Sequence, residues 1–94
     1  MSTTFSLSGS DDLLDGAKLT APMSTGNAQG LLDAIHPAWD EGQGTIGVIL
    51  TYQLPACLAR IKPLLADEPS NRNVRRLAAV LFAAQMLSCD VVYS

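Results

Sequence analysis

From residue 77 to residue 89 the chain carries no charge, and this stretch constrains the fold more than any other. Val74, Leu77, Ala78, Leu81 and Leu87 recur at helical spacing. Val80, Phe82, Ala83, Ala84 and Met86 fill the rest of the circumference. The pattern predicts a helix over residues 71–88, capped by Ser70. A helix that is apolar all round is buried on most sides. It is therefore expected to be the central helix of the domain, or a helix shared between chains.

The rest of the chain is read around that helix. With 94 residues it is expected to form a single domain, 1–94. Hydrophobic residues make up 48 % and charged residues 16 %, against a typical ~25 % charged. Such an excess of apolar side chains goes into a core or an interface. Ala28, Leu31, Leu32, Ile35 and Trp39 predict a second helix from about Asn27, capped by Ser24 or Thr25 and interrupted at Pro37. Ile46, Ile49, Leu50, Leu54, Cys57, Leu58, Ile61 and Leu65 keep a 3.6-residue period. They predict one long helix to Ala66, kinked near Pro55 and Pro63. The β-branched residues of 45–52 support the alternative, a strand there and a helix from Pro55.

A short helix is expected to begin at Ser10, with Asp11 and Asp12 at the positive end of its dipole. Residues 1–9 alternate, with Phe5 and Leu7 on one side, and read as an extended arm. Residues 91–93 read as a short strand able to pair with 3–8. The fold class expected is mainly α: a small helical bundle around helix 71–88 with short extended N- and C-terminal segments. The alternative is α+β with a strand at 45–52.

Several function classes find no support in the residues. The single histidine, His36, and the two cysteines, Cys57 and Cys89, have no metal-ligand spacing. No secretory leader and no run of 18 or more apolar residues is visible, so the chain is expected to be cytoplasmic and off the membrane, with both thiols free. A Cys57/His36 nucleophile pair is conceivable, but the flanks of Cys57 are apolar and raise a thiol pKa. Asp11/Asp12 and Asp67/Glu68 read as surface charge at helix ends. Residues 42–47 match the letters G-x-G-x-x-G but lack the strand–turn–helix context of a dinucleotide site. The expectation is a non-enzymatic chain that needs no metal or cofactor.

One constellation points to binding. Asn71, Arg72, Asn73, Arg75 and Arg76 crowd the start of helix 71–88. Arginines there add to the positive end of the dipole and cost stability unless an anion offsets them. Residues 1–45 hold six acids and one base, a net of −5, and residues 46–94 hold five bases and three acids, a net of +2. Carboxylates from the first half, or from a partner, could face the arginines. These five residues are the predicted partner-binding site of a self-associating protein-interaction module: an adaptor, small subunit or inhibitor, of the kind phages and mobile elements carry. The alternative is a helix–turn–helix-like nucleic-acid binder. The net charge of −3 and the sequence pI near 4.7 weigh against it.

Overall fold

The computed structural model describes residues 1–8, 19–40, 42 and 44–94. The helix start expected at 10–14, Asp15 and the Glu41 and Gln43 positions lie outside them. The described elements are β1 (Ser2–Leu7), β2 (Thr20–Ser24), α1 (Thr25–Ile35), β3 (Gly47–Ile49), α2 (Leu54–Asp67), α3 (Arg72–Leu87) and β4 (Val91–Tyr93). The four strands form one antiparallel sheet in the order β2-β1-β4-β3. The fold is therefore α+β, which overturns the expected helical bundle.

Residues 20–26, which Pro22 and Gly26 mark as a connector, contain β2 (Thr20–Ser24). Two further misreadings account for the rest of the difference. The first concerns the chain's extended ends. Thr3, Phe5 and Leu7 are buried while their neighbours face outward, and Val91 and Tyr93 do the same. These segments are not appendages: β1 and β4 are the two central strands. The second concerns the long helix expected over 46–66. Ile46 and Leu50, both counted in its period, are exposed. Burial at helical spacing starts only with Leu54, Cys57, Leu58 and Ile61. Upstream, Gly47–Ile49 pairs with β4 and residues 51–53 make a 3-10 turn. The strand alternative holds in shortened form, with Pro55 in the first turn of α2, where its missing N–H costs nothing.

The register sets one row across the inner face of the sheet. Ala21 lies opposite Phe5, Phe5 opposite Tyr93, and Tyr93 opposite Gly47. Two large rings thus sit between two small residues. Their centroids are 5.4 Å apart with planes tilted by 39°, a favourable aromatic geometry. The helices cover this face. α3 packs against α2 and against β1, β2 and β4, burying Val74, Leu77, Ala78, Val80, Leu81 and Ala84. Its cap is Asn71 rather than the expected Ser70: the Asn71 Oδ1 accepts from the backbone N–H groups of Asn73 and Val74. At the other end Ser88 turns left-handed, at φ 55°, and leads the chain into β4.

Both sheet edges resist further pairing. Edge strand β2 contains Pro22, which has no N–H to offer. At the β3 edge, Leu50 N–H donates to the Gln53 side chain and the Leu50 carbonyl accepts from Gln53 N–H.

α1 begins at its Ser24 cap, as expected, and ends before Pro37. It contains Gly30, where an added Cβ would meet nothing within 4 Å. Gly30→Ala is expected to raise stability by about 1 kcal/mol, since only the entropy of the unfolded chain changes. Urea denaturation measures it; a loss instead of a gain would show that the space beside α1 is not open.

Candidate functional site

The arginines expected to bind a partner share one face of α3. Arg72, Arg75, Arg76, Ala79, Phe82, Ala83 and Met86 recur at helical spacing and point away from the sheet. All but the half-buried Ala83 are exposed. Met86 is 85 % exposed, and Phe82 and Leu87 about 40 %. Helix α3 is thus apolar all round, as its sequence says, yet it is not buried all round. Its outward face runs from three guanidiniums at the first turns to bare apolar side chains at the last. Among the described residues, none of the three arginines makes an ion pair.

The two asparagines of the predicted site are placed differently. The Asn71 oxygen serves the helix cap. Both Asn71 and Asn73 line an open groove of about 300 Å³ where α3 starts beside α1. Gly26, Gly30 and Ala34 form its wall on α1, one helical turn apart from each other.

A second apolar surface escaped the sequence reading. On the outer face of the sheet, Val48 lies opposite Val92. Ile46 and Leu50 flank Val48 on the same side of the strand, and all four are exposed. Tyr52 stands just beyond, 77 % exposed. The signal that marks this surface is the absence of any charged residue from 42 to 59. Asp90 holds the adjoining turn, accepting from the Thr51 N–H at 2.8 Å and the Thr51 hydroxyl at 2.7 Å.

His36 and Cys57 are both buried, in settings that quiet them. Cys57 is fully enclosed, and burial pushes its thiol up to about 11, with Arg60 pulling weakly the other way. A thiol held there supplies almost no thiolate at neutral pH. His36 caps the C-terminus of α1, and its Nδ1 is buried without a hydrogen-bond partner. Among the described residues, no hydrogen bond joins the two side chains. Neither does any group of three or more metal-ligating side chains occur there, and no helix is long and apolar enough to cross a membrane.

Burial lowers the His36 pKa below its ordinary 6.5, and the Val48 backbone offsets part of that shift. The unfolded chain therefore binds the proton first as pH falls. Stability is expected to be level between about pH 7 and pH 8 and to decline as pH drops through 6.5, before most carboxylates titrate. In His36→Gln, which keeps a donor, that early decline should vanish. Urea midpoints measured from pH 8 to pH 5 check it; an unchanged slope in the variant would refute it.

Comparison with models of protein families, with characterised proteins and with solved structures found no match to this chain.

Proposed function

We propose that this chain is a protein-binding module whose contact surface is the outward face of α3. The observation that carries the reading is the continuity of that face: exposed arginines, without an ion pair among the described residues, running directly into Phe82, Met86 and Leu87. Aromatic residues, methionine and arginine are the types enriched at protein contacts. The apolar half supplies affinity and the arginines supply selectivity. A nucleic acid fits less well, since a phosphate backbone has nothing to cover the apolar half. Residues 71–76 keep their predicted role, with Asn71 and Asn73 at the margin of the surface. Two free thiols suit a reducing compartment such as the cytoplasm.

Self-association is assigned to the other surface, Ile46, Val48, Leu50 and Val92. Two chains of net charge −3 can meet there without opposing charges. The patch is small against the ~1,200–2,000 Å² total of a stable interface, so the dimer is weak.

Affinity capture from native extract tests the α3 reading. Proteins held by the natural chain should be lost by Phe82→Ser and by the triple change Arg72→Ala, Arg75→Ala, Arg76→Ala. If both variants retain the same set, the reading fails. Sedimentation analysis tests the dimer: Leu50→Ser should abolish a concentration-dependent increase in mass, and a natural chain that stays monomeric at millimolar concentration removes the self-association.

A further inference from the structure

The outward face of α3 differs between its two ends, and that difference specifies the chemistry of what covers it. Arg72, Arg75 and Arg76 stand at the end where the helix dipole is already positive. Their own fold supplies them with no carboxylate among the described residues. Asn71 has already satisfied the amides of Asn73 and Val74, so the site is not an empty cap waiting for a small anion. No acidic residue occurs anywhere from Arg72 to Leu87. Past Arg76 the same face presents Ala79, Phe82 and Met86.

A small anion would pair with the guanidiniums and leave Phe82 and Met86 in water. A duplex offers phosphates along its whole length and no apolar cover. An anionic lipid surface suits apolar groups flanked by cations at one depth, whereas here the cations all lie at one end. A helix with carboxylates on its own first or last turns and an apolar stripe along the rest matches both halves at once. Arg72 to Met86 spans about 21 Å, so roughly four turns of such a helix cover the face.

We infer, resting on the reading that α3 is the contact surface, that its occupant is an acidic amphipathic helix of another protein, with carboxylates over Arg72, Arg75 and Arg76 and an apolar stripe over Ala79, Phe82 and Met86. The carboxylates give charge-assisted hydrogen bonds to guanidiniums that lack an ion-pair partner among the described residues. The apolar stripe removes the most exposed large side chains of α3 from water.

Three synthetic helical peptides of about 18 residues test this, long enough to span the four turns. They share one leucine stripe and differ only at the polar positions of one end, which are Glu, Gln or Lys. Titration calorimetry against the full chain at low salt should show the Glu peptide binding about 10-fold more tightly than the Gln peptide, with the Lys peptide weakest. The margin should shrink as salt is raised. Changing all three arginines to alanine should bring the Glu peptide down to the affinity of the Gln peptide. Phe82→Ser with Met86→Ser should weaken both by about 10-fold or more. Circular dichroism of each variant confirms that these exposed changes leave the fold intact. Equal binding of the Glu and Gln peptides would overturn the acidic partner while leaving α3 as a protein contact. If no peptide binds, both readings fall. A DNA duplex or a phosphatidylserine vesicle that outcompetes the Glu peptide, and loses its hold in the arginine variant, would also overturn the inferred partner.

Discussion

Trp39→Ala should remove about 3–5 kcal/mol of stability, the usual cost of truncating a large buried aromatic side chain. Trp39 is 7 % exposed and belongs to the core that joins the sheet to the helices. Its indole N–H donates to the Gly44 carbonyl at 2.8 Å, which pins the connection between α1 and β3. Gly44 takes φ 67°, a conformation that suits glycine. Domains of this size have about 5–15 kcal/mol in total, so the variant should unfold at much lower urea. Trp39→Phe separates the two contributions: it keeps most of the packing and should cost about 1 kcal/mol for the lost hydrogen bond. Circular dichroism is the right probe, because the variants lack the fluorophore. An alanine variant within 1 kcal/mol of the natural chain would mean that the ring does not anchor this connection. The functional corollary is local: Ile46, Val48 and Leu50 sit directly downstream, so loosening the anchor should also weaken self-association.

Gly47→Ala should destabilise the sheet by about 1–3 kcal/mol, the range for forcing atoms into a filled core. A Cβ at this position would lie 2.9 Å from the Tyr93 hydroxyl oxygen and 3.0 Å from the ring carbon that bears it. Tyr93 cannot easily swing aside, being 4 % exposed and packed against Phe5 on the adjacent strand. A double-mutant cycle isolates the clash. In a Tyr93→Leu background the same Gly47→Ala change should cost less than about 1 kcal/mol, because the obstructing ring tip is gone. Equal costs in the two backgrounds would show that Gly47 is required for some other reason.

The sequence made α3 plain, because its apolar residues outnumber what any other element can display. It also made α1 plain, with Ser24 at its start and Pro37 beyond its end. The alternation at 3–7 and the short apolar run at 91–93 marked two extended segments able to pair, and the structure pairs them with Phe5 opposite Tyr93. Their rank in the sheet stayed hidden, since alternation says which face is buried and nothing about how many neighbours a strand has. Residues 46–54 misled for a physical reason. Ile46 and Leu50 are apolar at helical spacing, but their role is to cover the outside of the sheet, and periodicity does not tell a buried side chain from a bare one. The capping residue was displaced by one because serine and asparagine cap about equally well, and three-dimensional position chose Asn71. At the candidate site the arginines could be read directly. Which face of α3 turns outward could not, because a helix that is apolar on every side gives no clue.

The pairing of β1 with β4 has a kinetic consequence. Phe5 and Tyr93 are neighbours in space yet 88 positions apart along the chain. The centre of the sheet therefore closes the longest loop in the fold, and it closes late, because loop entropy must be overcome before the contact rewards it. The helical hairpin of α2 and α3 uses nearby residues and can form early. During synthesis β1 emerges first and waits for residues 91–93, with its apolar inner row and its unpaired edge open to the wrong neighbours. The period of greatest aggregation risk for this protein is the interval between making its first strand and making its last.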